Sequence, residues 1–292
     1  MSDPSVHTAD IPTAMTESGF RRAYGTYEVS QPRIGDEAYT DIIATAIDVG
    51  YRHFDAAQDY DTEPLVGEAL TRTAVPRDEV FIATKLRWDN LGYEDAIETA
   101  RESRERLGVD TIDLLYVHIP VGTYDPAETL PALDALVDDG VVDRIGMSNC
   151  TPEILADAIG RLEAPLYAHQ IELHPLLQQE PLRDLAVEDG HWVIGFSPYM
   201  RGLVREITEL REIADRHDTT PFDVALAWLL SKPNVAVLSH STDASHMRAN
   251  LERQPVALEE DDIETIDSID RAYRMWDTKL DPWNRPTPDY LQ

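Results

Sequence analysis

Short apolar runs alternate along this chain with longer stretches in which apolar positions return every three or four residues. The runs Tyr24–Val29, His53–Asp55, Val80–Leu86, Ile112–His118, Arg144–Ser148, Leu166–Glu172, Trp192–Ser197 and Val235–Leu238 read as buried strands. Between them, Asp36–Val49, Tyr93–Leu107, Glu128–Asp138, Pro152–Leu162 and Thr220–Ser231 carry the helical period. Thr151-Pro152 and Thr220-Pro221 each supply an N-cap followed by proline at the first turn, a helix-start signal. Strand–helix alternation over the full length predicts a parallel sheet covered by helices. Eight strand candidates favour an α/β fold of the (β/α)8 TIM-barrel type over an open doubly wound sheet. No linker or low-complexity tract interrupts the pattern, so residues 1–292 are expected to form one barrel domain. A short N-terminal extension (about residues 1–20) and a C-terminal tail over the barrel mouth (about 273–292) flank it.

Composition narrows the setting more than the chemistry. With 292 residues and 42% hydrophobic content the chain is long enough for a full barrel core. No stretch approaches the roughly 18 consecutive apolar residues of a membrane helix. Met1 to Thr13 lacks the basic start and apolar run of a secretory signal. The one cysteine, Cys150, excludes an internal disulfide framework and fits a reducing compartment, so a cytoplasmic protein is expected. Cys150 has no evident basic neighbour and is read as packing rather than as a reactive thiol. The net charge of −30 disfavours nucleic acid and anionic membranes as partners. Lysine occurs only at Lys85, Lys232 and Lys279, against 22 arginines, while acids are spread along the whole chain. That combination predicts a surface adapted to molar salt, where counterions screen its self-repulsion.

The strand ends carry the candidate chemistry, because a barrel of this type places its site at the C-terminal rim. Those ends read Asp55, Lys85, His118, Ser148-Asn149, Gln170 and Ser197-Pro198, with Tyr60 five residues beyond Asp55. Buried strands seldom finish on titratable groups unless those groups meet. A free tyrosine, with a pKa near 10, is a poor proton donor and acceptor at neutral pH. A neighbouring ammonium is expected to lower it, and Asp55 would balance the buried Lys85. His118 would then hold a carbonyl oxygen where negative charge develops. No Gly-x-Ser-x-Gly motif supplies an acyl-transfer nucleophile, and no Gly-x-Gly-x-x-Gly motif supports a Rossmann dehydrogenase. The set suits carbonyl reduction if a hydride donor binds beside it.

Gly50-Tyr51-Arg52-His53-Phe54-Asp55 with Tyr60, then Ala83-Thr84-Lys85, then Ile112-Asp113-Leu114-Leu115-Tyr116-Val117-His118-Ile119-Pro120 stand in an order and spacing that resemble the aldo-keto reductase family. Gly146-Met147-Ser148-Asn149 and Gln170-Ile171-Glu172-Leu173-His174-Pro175 resemble its nicotinamide-binding segments, and the likeness runs from about Tyr24 to about Leu251. The resemblance implies Tyr60 as proton donor, Asp55 and Lys85 as its tuning pair and His118 as the orienting residue. It implies a cofactor site drawn from Gly25, Thr26, Tyr27, Ser148, Asn149, Gln170, Phe196, Ser197, His240, Ser241, His246 and Asn250. Phe196 stands where the family stacks a tyrosine on the nicotinamide ring, and a phenyl face does the same.

Two segments depart from the family. Ser239-His240-Ser241 and His246 replace the lysine and arginine that usually grip a 2′-phosphate. NADP is favoured, with NAD kept as the alternative, since neutral histidine is a weak phosphate partner. On the substrate side, Tyr27, Arg87, Trp88, Ile119 and Trp276 are the candidate lining, with Trp283 and Tyr290 further along the tail. Arg87 points to an anionic or hydroxyl-rich aldehyde or ketone as the small-molecule partner, and the protein is expected to be a monomer or a weak homo-oligomer. Three competing readings stand beside this one: a Schiff-base lyase using Lys85, a metal-dependent hydrolase using the barrel histidines, and a cofactor-binding barrel without turnover. The metal reading lacks a His-x-His pair on its first strand, so no metal is expected, and His53 and His174 are read as satisfying core hydrogen bonds.

Overall fold

The computed structural model describes residues 11, 16–27, 34–252 and 256–276. Its parallel strands β1 (Arg22–Gly25), β2 (His53–Asp55), β3 (Phe81–Leu86), β4 (Leu114–Val117), β5 (Ile145–Ser148), β6 (Leu166–Glu172), β7 (Trp192–Phe196) and β8 (Val235–Ser239) form one closed barrel. Each strand pairs with its sequence neighbours, and β8 returns to β1 through Arg22 opposite Val237 and Tyr24 opposite Ser239. The helices are α1 (Glu17–Phe20), α2 (Asp36–Val49), α3 (Glu63–Arg72), α4 (Tyr93–Leu107), α5 (Pro126–Asp138), α6 (Pro152–Arg161), α7 (Glu180–Asp189), α8 (Thr208–Arg216), α9 (Pro221–Ser231), α10 (Ala244–Glu252) and α11 (Glu260–Asp267). The alternation in the sequence is therefore the (β/α)8 architecture it suggested.

The N-cap signals act as read. Thr151 Oγ1 accepts from Ile154 N, and Thr220 forms a reciprocal capping box with Asp223. Six strands differ from the sequence reading at one end or both; β3, β5 and β8 shift by a single residue, to Phe81, Ile145 and Ser239. β1 starts at Arg22 and ends at Gly25 rather than running Tyr24–Val29; Thr26 N donates the last rung of the β1–β2 ladder to the Asp55 carbonyl, and Glu28 and Val29 lie outside the described residues. β4 is shorter because Asp113 turns its carboxylate to Arg77 and the Ile82 amide, leaving Ile112 only an isolated bridge to Val142. β7 stops at Phe196 because Ser197 adopts a left-handed φ of 55°.

Side-chain parity sorts the core into two layers. Phe81, Ala83, Leu114, Tyr116, Ala168, Trp192, Ile194, Ala236 and Leu238 point into the barrel, while Phe54, Ile82, Leu115, Met147 and Val193 meet the helices. Phe20 of α1 closes the lower end, stacked on His53 at 4.9 Å and tilted against Trp192 at 4.9 Å. Gly146 is required by this packing, since a Cβ there would lie 2.5 Å from the Tyr116 ring. Filling the interior from below leaves the upper layer for polar groups. Among the described residues no helix is long and apolar enough to cross a membrane.

Candidate active site

Parity explains why the polar residues converge. Position 55 continues the inward series of β2, 85 that of β3, 118 that of β4, 148 that of β5 and 170 that of β6. All five therefore reach the upper end of the interior. Lys85, fully buried, donates through Nζ to Asp55 Oδ1 and to the Ala56 carbonyl at 2.8 Å. Gln170 Nε2 donates to the other Asp55 oxygen at 2.8 Å. Tyr60, on the 3-10 turn Gln58–Tyr60 after β2, places its hydroxyl 3.3 Å from His118 Nε2. Lys85 Nζ sits over the Tyr60 ring, 4.8 Å from its centroid. The four residues inferred from separate segments are one contact cluster.

Its electrostatics differ from the sequence reading at one point. Burial, reinforced by the carboxylates of Asp55 and Asp59, pushes the Tyr60 phenol well above its ordinary range. The expected lowering by Lys85 is outweighed, because that ammonium is committed to Asp55 and Ala56 and is itself pulled below its ordinary value by burial. His118 is also lowered by burial, against an opposing pull from Asp59. The resting cluster thus holds a protonated phenol beside a neutral imidazole.

Ser148 and Asn149 extend the cluster. Ser148 Oγ donates to the Gln170 carbonyl at 3.1 Å, and Asn149 Nδ2 donates to the His118 carbonyl at 3.0 Å and to Ser148 Oγ at 3.1 Å. A hydroxyl and two amides side by side on β5 and β6 are the donor and acceptor set that complements a carboxamide, so these residues fit the nicotinamide end of a dinucleotide. Phe196 lies at the inner end of β7, packed on the barrel interior. At the mouth, Tyr27 stands 5.0 Å from the Tyr60 ring and 5.8 Å from Trp276, whose Nε1 donates to Ser197 Oγ at 2.8 Å.

Other expected residues lie further out. Thr26 is buried and acts as a strut, donating to the Asp55 carbonyl at 2.9 Å and meeting Thr62 Oγ1 at 2.7 Å, while Gly25 faces Leu238. His240 Nε2 is 3.0 Å from the Tyr39 hydroxyl. That hydroxyl donates to the Thr26 carbonyl, so the imidazole supplies the proton between them. Ser241 accepts from Asp243 N, His246 is exposed on α10, and the Asn250 carbonyl accepts from Arg22. Arg87 is exposed, with its guanidinium forked onto Asp89 at 2.5 and 2.6 Å, rather than open to the mouth. Trp88 packs against Gly122, and Ile119 is half-buried beside His118. His53 Nδ1 meets the Phe20 carbonyl and His174 Nε2 meets Glu172, while Cys150 is buried with its thiol pushed up by burial. Trp283 and Tyr290 lie outside the described residues.

The sequence model of the Aldo/keto reductase family matches residues 23–271, most of the chain. The chain belongs to the aldo/keto reductase family. This reductase is 36% identical over 239 residues to an aldo-keto reductase of Mycolicibacterium vanbaalenii, covering 82% of this chain and 85% of that one. It is 33% identical over 246 residues to the methylglyoxal reductase DkgB of Yersinia pestis, covering 83% and 92%. The solved structure of MGS-M4, an aldo-keto reductase from a Medee basin deep-sea metagenome, superposes with a TM-score of 0.79 at 27% identity, covering 89% of this chain and 93% of that one. The protein is an oxidoreductase that reduces an aldehyde or ketone with a nicotinamide cofactor.

Two residues of the reductase site escaped the sequence reading. Asp59 is the carboxylate nearest His118, with Oδ2 3.3 Å from Nδ1. Glu172, fully buried, accepts from Met275 N at 2.6 Å, Trp276 N at 3.1 Å and His174 Nε2 at 2.9 Å, and so ties the C-terminal segment to the rim. Parity alone would have found Glu172, the next inward position after Gln170. Nothing in the one-dimensional pattern distinguishes Asp59 from the other surface acids.

Proposed function

We propose that this reductase acts on a small, uncharged aldehyde or 2-oxoaldehyde and that Tyr60 gives the proton. The observation that carries the reading is the contact cluster of Asp55, Tyr60, Lys85 and His118 at the barrel mouth. When bound, the nicotinamide cofactor supplies a hydride to the carbonyl carbon. Tyr60 stays protonated until it passes its proton to the carbonyl oxygen, which suits a donor better than a pre-formed phenolate would. His118 holds that oxygen as charge builds on it. The Lys85 ammonium offsets the phenolate left behind, and Asp55 keeps the ammonium in place. Ser148, Asn149 and Gln170 hold the carboxamide with Phe196 as the stacking face, and Tyr27, Trp88, Ile119 and Trp276 wall the substrate. The methylglyoxal reductase among the relatives supports a compact substrate. The Arg87–Asp89 pairing weighs against the anionic substrate that Arg87 suggested.

The far end of the cofactor is less selective in this reading. His240 turns to Tyr39, and the Asp243 carboxylate accepts from Ser245 N at 2.8 Å and His246 N at 3.0 Å at the start of α10. An incoming 2′-phosphate would meet a carboxylate where the family offers cations. We infer that NADPH and NADH both serve, rather than NADPH alone. The net charge of −30 with three lysines supports a high-salt setting.

The test is direct. In molar salt, NADPH absorbance should fall when methylglyoxal is added, and Tyr60→Phe should lower kcat by at least about 100-fold without weakening cofactor binding. Full turnover by Tyr60→Phe would overturn the mechanism.

A further inference from the structure

His118 Nδ1 is buried and lacks a well-aligned hydrogen-bond partner among the described residues. The group that faces it is Asp59, 3.3 Å away, from the turn that also carries Tyr60. We propose that Asp59 is a positioning residue: it orients the His118 ring through Nδ1 and lets His118 act on the substrate side as a charged donor. This rests on the proton-transfer reading above and adds a residue to it.

The number of protons that the ring and the phenol hold decides which of them donates. With Nδ1–H directed at Asp59, the neutral ring has a bare Nε2. Tyr60, with one hydrogen and a hydroxyl 3.3 Å from that nitrogen, then donates to it. A phenol engaged in that way is turned from the substrate. If the ring takes a second proton, Nε2–H becomes the donor and the Tyr60 hydrogen is released toward the carbonyl oxygen. The imidazolium needs a counter-charge, and Asp59 is placed to provide it. The balance closes: hydride goes to the carbonyl carbon, the Tyr60 proton to its oxygen, the His118 Nε2 proton to the Tyr60 phenolate, and neutral His118 regains its proton from solvent.

The groups around the ring set the size of the effect. Lys85 from β3 opposes protonation; Asp55 from β2 and Asp59 favour it; and burial opposes it. Arg87 Nε, 3.8 Å from Asp59 Oδ1, draws on the same carboxylate from the loop after β3. Asp59 is the only one of these groups on the Nδ1 side within 4 Å among the described residues. Removing it leaves burial and Lys85 in control.

The experiment follows the His118 ring by NMR in Asp59→Asn, at fixed molar salt so that the distant acidic surface is screened, and measures kcat/KM against pH in parallel. His118 should titrate about one pH unit lower. The kcat/KM limb attributable to it should move with it, and activity at neutral pH should fall about tenfold, with NADPH binding unchanged. Asp59→Glu should restore much of the profile, which a merely structural role would not predict. Asp59 is 30% exposed, and circular dichroism establishes that the variant folds. If Asp59→Asn is misfolded, the same comparison is made with Asp59→Glu against wild type, which should shift the His118 titration by less than one unit while keeping activity. An unchanged His118 titration in folded Asp59→Asn overturns the proposal. That result leaves the role of Tyr60 standing, since Tyr60→Phe tests it separately.

Discussion

Replacing Glu172 with glutamine isolates the attachment of the C-terminal segment from the chemistry beneath it. The carboxylate offers two oxygens to three donors: Met275 N, Trp276 N and His174 Nε2. Glutamine keeps the shape but replaces one acceptor with an NH2 group, which must then face a donor. Hydrogen bonds to a charged acceptor contribute about 1.5–3 kcal/mol each, so the segment should lose about 2–4 kcal/mol of docking free energy. The Tyr273 N to Leu176 carbonyl bond at 2.8 Å and the Arg201 guanidinium over the Trp276 ring at 4.6 Å remain, so the tail loosens near residues 275–276 first. Hydrogen exchange of the Met275 and Trp276 amides should accelerate by about 30-fold or more, at 1.4 kcal/mol per factor of ten. Steady-state kinetics should show a raised KM for the aldehyde with kcat changed much less, because the Tyr60 cluster lies below the tail. If folded Glu172→Gln keeps both the protection of those amides and its KM, Glu172 does not hold the tail and Trp276 does not wall the substrate.

Three further outcomes are expected. Burial lowers His53 to about 4 from 6.5 and lowers His169 and His191 as well, so the unfolded chain binds these protons first as pH falls. Stability is then fully present above about pH 6.5 and is lost toward pH 4, with His53 alone contributing about 3 kcal/mol over that window; a denaturant midpoint that is flat across it in molar salt would contradict this. Asp243→Ser should tighten NADPH several-fold while leaving NADH unchanged by fluorescence titration, and equal effects on both would remove Asp243 from the discrimination. Raising KCl from about 0.1 to 1 M shortens the screening length from about 10 to 3 Å. The melting temperature should therefore climb by about 2–4 °C for each kcal/mol of relieved repulsion, and a flat or falling curve would refute the high-salt assignment.

The fold could be read in the sequence because a parallel barrel buries both faces of its strands. That leaves apolar runs, such as Leu166–Glu172, whose ends survive unchanged in the structure. Where the start of β4 moved, a side chain had found partners no pattern records: Asp113 turned to Arg77 and the Ile82 amide. The contact cluster proposed as catalytic could be read for a related reason. A titratable residue closing an apolar strand is an expense that only a partner offsets, and Asp55, Lys85 and His118 each close one. Asp59 sits in a polar turn among many acids, where no such contrast exists.

The Tyr60 result shows why residue types alone set the wrong sign for its acidity. A lysine beside a tyrosine suggests a lowered phenol only if the ammonium has charge to spare. Here the strand register fixes Lys85 opposite Asp55, and Gln170 takes the second oxygen of the same carboxylate. The ion pair is thus largely satisfied before the phenol is reached, and at Tyr60 burial with Asp55 and Asp59 outweighs what Lys85 still offers. In the proposed mechanism the same arrangement has a kinetic consequence. A Tyr60 phenolate would repel those two carboxylates, and its nearest relief would lie in a cationic Lys85 and a cationic His118. Proton return to Tyr60 would then be tied to the state of His118, and through it to Asp59, which faces solvent from the turn.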